Sequence, residues 1–272
     1  MHPTQFPARI HVLLASRAPV GLVIRRGPAK RVATMLWDRT RDKFKMGQWL
    51  KGRLYERQCD LSPDGKYLLY FAGQAGYSWS AISHAPFLKA IAIFPIGGEH
   101  WHGGGIWTGD STYRLNDEYV RNVPRNSEAV EDDESHSQAS MERREDLSMY
   151  SPRLIRDGWK LTGSVRIADW QAEQIFEKSI APEWSLRKIA HPLTGAPIGK
   201  GCYWDEHQLV HRASGAIIAY PDWEWADLDG TRLVWATGGK LFTGRVLAKG
   251  LADETELFDF NEMLFSPIQA PY

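Results

Sequence analysis

A tight turn between two apolar runs, at residues 61–70, constrains the fold of this chain more than any other feature. The run reads Leu-Ser-Pro-Asp-Gly-Lys-Tyr-Leu-Leu-Tyr. Asp-Gly between apolar runs is a strong hairpin signal, because glycine accepts the positive φ angle that a two-residue turn requires. Residues 226–235 repeat the pattern, and weaker copies occur at residues 107–113 and 156–161. The chain is therefore predicted to consist of β-hairpins.

The candidate turns recur at a nearly constant interval. Successive turn residues are 45, 46, 47 and 48 positions apart, although Asp229 falls outside the series, only 24 positions after the last of them. A four-stranded β-propeller blade takes about 40–50 residues. We expect an all-β fold, a small β-propeller of about five blades, with four or six as alternatives. The turn residues in the series are Pro19, Asp64, Asp110, Asp157 and Asp205.

Residues 61–70 resemble the repeat unit of the TolB and PD40-type propellers, which are related to WD40 propellers. The match extends over these ten residues and in part over residues 226–235. The resemblance implies a propeller fold with a binding role for one face, and it implies no enzyme activity. Because the motif residues form the turn itself, no functional residue follows from the resemblance.

Most of the chain alternates apolar and polar residues in short runs bounded by Gly, Pro or Asp, which is typical of strands. Residues 89–94 and 216–220 are continuous apolar runs and are predicted to be inner strands buried on both faces. The chain has 12 Trp among 272 residues, and aromatic-rich, turn-rich composition favours sandwiches, barrels and propellers.

We expect a single propeller domain over residues 1–272. Residues 116–148 are dense in charge and poor in apolar side chains, so they are predicted to form a charged loop insertion that cannot order itself alone. A short helix near residues 139–145 and a role in docking a partner are alternatives for this insertion. Residues 251–272 alternate acidic and apolar residues before a Pro-containing end, and are predicted to be a closing segment that packs along the last blade.

The best candidate for a chemical site is Glu99, His100 and His102, within a glycine-rich run. Two histidines two residues apart share one face of a strand and could bind a divalent transition metal, with Glu99 as a third ligand or a base. The pair has no matching distant ligand, so a polar structural feature is the alternative. His207 and His211 have a spacing found in metalloproteases but lack the internal Glu, and their surroundings indicate a hairpin.

Tryptophans form the second group of candidate binding residues. Carbohydrate sites and protein interfaces both use exposed Trp, whereas buried Trp would only pack blades together. The candidates are Trp101, Trp107, Trp223 and Trp225.

Several function classes are disfavoured. Lys plus Arg and Asp plus Glu are both 33, so the basic excess typical of nucleic-acid binding is absent. No phosphate-binding loop, hydrolase elbow or Rossmann glycine motif occurs. No apolar run reaches the roughly 18 residues of a membrane span, no signal peptide is recognisable, and two cysteines fit a reducing compartment.

We therefore expect a cytoplasmic, non-catalytic scaffold that binds another protein through its loop face. A metal-dependent enzyme and a carbohydrate-binding propeller are the alternatives.

Overall fold

The computed structural model of the chain describes residues 6–27, 30–96, 103–116, 130–131, 147–168, 171–192 and 203–272. Strands account for 62% of these residues and helices for 6%, which confirms the all-β prediction. The chain divides into two compact units. Unit 1 comprises residues 1–11 and 154–263, and unit 2 comprises residues 12–153 and 264–272.

Two sheets are formed by the first hundred residues. The first has the order β1-β2-β3-β4, and in the second β5-β7-β8-β9 follow one another while β6 pairs with β7. A short 3₁₀ turn at Glu56–Gln58 separates β5 from β6. The strands are β1 Arg9–Leu14, β2 Val20–Arg26, β3 Arg31–Asp38, β4 Lys43–Lys51, β5 Arg53–Leu54, β6 Asp60–Leu61, β7 Tyr67–Gln74, β8 Tyr77–His84 and β9 Ala90–Ile96.

A three-stranded sheet and the one α-helix of the described residues come next. In the small sheet β10 pairs antiparallel with β11, and β11 pairs parallel with β12. The helix α1 begins at Leu147, so the last two residues of the predicted insertion 116–148 are helical. The elements are β10 Gly105–Trp107, β11 Thr112–Leu115, β12 Val130–Glu131 and α1 Leu147–Arg156.

Unit 1 contains two antiparallel sheets. The first has five strands in the order β13-β14-β15-β16-β17, and the second has four in the order β18-β19-β20-β21. The strands are β13 Lys160–Ala168, β14 Gln171–Ala181, β15 Trp184–His191, β16 Trp204–His211, β17 Ile217–Tyr220, β18 Trp223–Asp229, β19 Arg232–Thr237, β20 Lys240–Leu247 and β21 Gly250–Asp259.

The four large sheets each have the strand arrangement of a β-propeller blade, in which successive strands are neighbours and run antiparallel. Four sheets of this kind occur among the described residues. The prediction of about five blades is therefore not confirmed, and the alternative of four agrees with this count.

One of the five predicted turn residues was wrong, because Asp205 lies inside β16. Asp157 does lie in a turn, but this turn joins helix α1 to β13 and is not a hairpin. Local residue pairs signal a turn whether or not two paired strands flank it, and strand pairing is decided by distant contacts.

The two predicted inner strands were also wrong in their burial. In β9 only Phe94 and Ile96 are buried, and β17 is an edge strand whose first three residues are exposed. A short apolar run indicates a strand, but it does not identify the neighbours that would cover it.

The turn at residues 62–65 forms as the sequence predicts, and side chains fix it. The Ser62 hydroxyl donates to Oδ1 of Asp64 at 2.7 Å and accepts from the backbone N–H of Tyr67 at 2.9 Å. The N–H of Gly65 donates to the Ser62 carbonyl at 2.8 Å. Gly65 has a φ of 76°, and a Cβ added there would overlap Cγ2 of Val20. This corner packs on β2, beside a core shared by the first two sheets.

Gly65→Ala should therefore destabilise unit 2 more than an equivalent change at an open turn. Both Gly65 and Gly76 have a positive φ, but nothing lies within 4 Å of a Cβ at Gly76. We expect Gly76→Ala to cost about 1–2 kcal/mol through backbone strain alone. Gly65→Ala should cost about 1–3 kcal/mol more, through overpacking. Urea unfolding followed by tryptophan fluorescence measures both, and equal losses would contradict the packing of this corner.

Candidate functional site

The predicted metal site lies outside the described residues. Glu99, His100 and His102, together with Trp101, all fall in the interval between residues 96 and 103. Within the described ranges, no group of three His, Cys, Asp or Glu side chains could hold a metal ion. The metal-binding reading of Glu99, His100 and His102 stays a prediction.

The other three candidate tryptophans are buried. Trp107, Trp223 and Trp225 expose between 1% and 5% of their surface, so none presents an open ring face on which a sugar could stack. Trp223 stacks between two aromatic rings of unit 1, with its ring centroid 3.9 Å from that of Tyr220 and 5.0 Å from that of Trp235. These tryptophans contribute packing, which was the alternative interpretation of the sequence.

Trp107 is held by a buried aspartate. Its backbone N–H donates to Oδ2 of Asp60 at 2.7 Å, and its indole Nε1–H donates to the Asp60 carbonyl at 3.3 Å. The other carboxylate oxygen of Asp60 accepts from the N–H of Leu61 at 2.9 Å. A buried carboxylate needs such donors, because losing water without replacement is costly.

Asp227 occupies the corresponding position of the second repeat and is held in the same manner. Its Oδ1 accepts from the N–H of Leu228 at 2.7 Å, and its Oδ2 accepts from the indole of Trp159 at 3.1 Å. Here the charge is also compensated, because Nζ of Lys178 lies 2.6 Å from Oδ1. The Asp that precedes Leu in both repeats is therefore a structural acceptor for a Trp donor.

The most unusual group of side chains in unit 1 surrounds Lys188. Lys188 on β15 is paired with His207 on β16, and Asp205 lies two residues before His207 on the same face of β16. Lys188 and His207 each expose only 1% of their surface. Nζ of Lys188 lies 3.8 Å from Oδ2 of Asp205 and 4.8 Å from the ring centroid of Trp159. The buried ammonium is thus compensated by one carboxylate and one aromatic face.

His207 is neutral in this environment. Burial, followed by the positive charge of Lys188, lowers the pKa of His207 to about 3. Its Nδ1 lies 3.2 Å from the carbonyl of Trp223, and since a carbonyl only accepts, Nδ1 carries the proton. Nε2 is then an acceptor, and it has no hydrogen-bond partner among the described residues.

We call Lys188, Asp205, His207, Trp159 and Asp227 the Lys188 group. The group connects the five-stranded sheet to the four-stranded sheet of the same unit. Asp227 and the Trp223 carbonyl belong to β18, whereas Lys188 and His207 belong to β15 and β16. All its members are buried or nearly so, which keeps a substrate from reaching the amine or the imidazole. Chemically it is a charge-compensated structural group.

One feature of the sequence does indicate this group. Lys188 falls on the same parity of β15 as Trp184, Leu186 and Ala190, which are all buried. A charged residue at an apolar position of an alternating strand indicates a buried charge that requires partners. Cys59 is buried in unit 2, and burial raises the pKa of its thiol to about 12.

The edge strand β13 carries more of the exposed large apolar side chains of unit 1 than any other described strand. β13 pairs only with β14 among the described strands, and eight of its nine residues are exposed. Three of these are large aliphatic side chains, Leu161, Val165 and Ile167, with 45%, 54% and 52% of their surface accessible. An edge with unpaired backbone groups and exposed apolar side chains is a template for another strand.

No protein-family model and no curated protein matches this chain. Solved structures that are similar to it over most of its length include the following two. The uncharacterized protein lmo1340 from Listeria monocytogenes EGD-e is 10% identical, with 93% of this chain and 66% of that chain covered and a TM-score of 0.31. The β-propeller domain of Cps50 (Swd1) from Myceliophteria thermophila is 11% identical, with 92% and 89% covered and a TM-score of 0.30. Similarity of this size assigns no function to the chain.

The helices of the described residues are too short or too polar to cross a bilayer.

His207 makes the stability of the protein depend on pH. The unfolded chain takes up a proton at His207 near pH 6.5, whereas the folded state resists it until about pH 3. The free energy of unfolding should therefore be greatest above pH 6.5 and fall as the pH falls below it. In His207→Asn, whose amide N–H can still donate to Trp223, this part of the decline should disappear. Urea unfolding between pH 4 and pH 8 measures it, and parallel curves for the two proteins would contradict the assignment.

Proposed function

We propose that this chain is a non-catalytic scaffold of the β-propeller type that binds another protein. The observation that supports it is the exposed apolar edge strand β13. Soluble proteins rarely leave such an edge open, because it invites pairing with other chains. Our sequence prediction assigned binding to the loop face, whereas the exposed aliphatic side chains found in unit 1 favour a strand edge as the contact.

Features of β13 favour selective binding over indiscriminate aggregation. Lys160 and Arg166 place positive charges along the strand, and its pairing with β14 is irregular between Leu161 and Gly163 and again between Arg166 and Ala168. Charges and bulges on an edge discourage unspecific pairing. Between the two irregularities, residues 163–166 pair regularly with β14, and a partner strand could add to this stretch.

The buried chemistry of the molecule agrees with a binding role. The Lys188 group, the most prominent cluster of ionisable side chains in the described part of unit 1, is closed to solvent and charge-compensated. Metal-dependent activity at Glu99, His100 and His102 is the alternative proposal. Elemental analysis of the purified protein tests it, and metal-free protein would count against it.

A double variant of the edge strand tests the proposal. Val165→Lys with Ile167→Lys removes the exposed apolar surface and adds charge, and exposed substitutions usually change stability by less than about 0.5 kcal/mol. We expect a partner recovered in stoichiometric amount with the tagged wild-type chain to be reduced at least ten-fold with this variant, as measured by quantitative mass spectrometry.

Leu247→Lys is the matched control, since Leu247 is also a half-exposed aliphatic residue of unit 1 but lies on β20. It should recover the partner as the wild type does. If all three proteins recover the same set of proteins in the same amounts, binding through β13 is wrong. Circular dichroism of each variant verifies that the fold is retained.

A further inference from the structure

The neutral total charge of the chain hides an uneven distribution of charge. Residues 12–96, which form most of the first two sheets, contain 14 Lys and Arg but only 5 Asp and Glu. The positive excess is therefore concentrated in one part of unit 2. A local excess of this kind is the electrostatic footprint of a surface that binds a polyanion.

The five acidic residues of this part already have partners. Two of them are buried, and the other three accept hydrogen bonds from nearby residues of the chain. Because their carboxylates are occupied in this way, they leave other cations of the first two sheets without a counter-charge. The five are Asp38, Asp42, Glu56, Asp60 and Asp64.

Seven exposed cations of the first two sheets form no ion pair with any described residue, and we call them the cation strip. Three of them meet where β3, β4 and β5 join. Arg31 is paired directly with Lys51, and the N–H of Gly52 donates to the Lys30 carbonyl at 2.8 Å. Like charges on directly paired residues destabilise a sheet, so a bound anion would stabilise this arrangement. The members of the strip are Lys30, Arg31, Lys43, Lys45, Lys51, Arg53 and Lys89.

Aromatic rings hold three members of the strip in place. Nζ of Lys51 lies 4.9 Å from the ring centroid of Phe265, and Cζ of Arg31 lies 5.6 Å from it. Nζ of Lys89 lies 5.1 Å from the ring centroid of Tyr272. Cation–π contact restricts these long side chains, so they lose less rotamer freedom when they bind an anion.

The strip passes from one face of the first sheet to the other. Lys45 is paired with Leu36, and Lys51 is paired with Arg31, while the irregularity in this pairing falls on β4. Leu36 and Arg31 are an odd number of residues apart on the regular strand β3, so their side chains point to opposite faces. Their partners Lys45 and Lys51 therefore belong to opposite faces as well.

Lys89 supplies a cation near the middle of β4. Its N–H donates to Oε1 of Gln48 at 2.9 Å. From Lys43 to Lys51 the strand covers roughly 25 Å, at about 3.3 Å per residue. The strip thus presents positive charge at the start, the middle and the end of β4.

We propose that the cation strip binds single-stranded nucleic acid through its phosphate groups. A single strand carries a negative charge at every nucleotide, which suits cations that are spread along a strand. It also bends easily, so it can follow the strip from one face of the sheet to the other.

An anionic membrane is a poorer ligand for this arrangement. A membrane surface is flat, so it meets the cations of one face only. Leu264 is exposed beside Phe265, but a single aliphatic side chain buries little surface in a bilayer. The inference goes beyond the proposed function, because it assigns a second ligand to unit 2 and does not involve β13.

The test measures, by fluorescence anisotropy, the binding of a labelled single-stranded DNA of about 20 nucleotides to the full chain. We expect saturable binding whose log affinity falls linearly with log salt between about 50 and 200 mM, because phosphate contacts release counterions. In Lys51→Gln with Arg53→Gln the affinity at the lowest salt should fall at least five-fold. The slope should become shallower by about 1.4, since each contact to a single strand contributes about 0.7.

Arg245→Gln with Lys249→Gln is the matched control, because it removes the same charge from exposed residues of unit 1. Its affinity and its slope should equal those of the wild type. Lys43→Gln with Lys45→Gln changes the other end of the strip and should reproduce the loss. It replaces the first variant if circular dichroism shows that the first variant does not fold.

The absence of saturable binding at the lowest salt would overturn the proposal. Equal losses in the strip variants and in the unit 1 control would also overturn it, because only total charge would then matter. Tighter binding of a duplex with the same sequence would contradict a flexible ligand.

Vesicles of phosphatidylcholine and phosphatidylserine test the membrane directly. If they bind the wild type where the single strand does not, and Leu264→Ser weakens that binding, the ligand is a membrane surface and the proposal is wrong. Recovery of a protein partner, which tests the proposed function, is a separate measurement, so the two proposals fail separately.

Discussion

Two buried carboxylates, Asp60 and Asp227, are the contacts on which the hairpin units of this chain depend. Each accepts the N–H of the leucine that follows it and a hydrogen bond from a tryptophan elsewhere in its own unit. A carboxylate at this depth is tolerated only when its oxygens are satisfied. The Asp60 carboxylate accepts the backbone N–H of Trp107, whereas the Asp227 carboxylate accepts the indole N–H of Trp159. The Asp of the Asp-Leu step therefore holds a tryptophan in both units.

The requirement that buried polar groups have partners also explains the ionisable side chains inside unit 1. Asp227 forms an ion pair with Lys178. Trp159 donates its indole N–H to Asp227, and the ammonium of Lys188 lies against the ring of Trp159. Burial, and after it the positive charge of Lys188, lowers the pKa of His207 and keeps the imidazole neutral. Each buried charge in this group therefore has a partner of opposite charge or an aromatic ring. The group connects two sheets, and its ionisable side chains are closed to solvent. The histidine is the member of the group that makes it sensitive to acid.

The exposed surface of unit 1 differs from this buried group. β13 carries Leu161, Val165 and Ile167 as exposed side chains and pairs only with β14 among the described strands. These are the properties on which the proposed binding of a partner strand depends.

The sequence by itself determined the all-β class and the hairpins at residues 61–70 and 226–235. Asp-Gly turns and apolar alternation are local properties that act within a few residues. Only the tertiary structure decided the number of large sheets, the edge position of β13 and β17, the burial of Trp223, and the partners of Lys188. These depend on which strands pair across long stretches of chain, and pairing is set by distant side chains that no local pattern identifies.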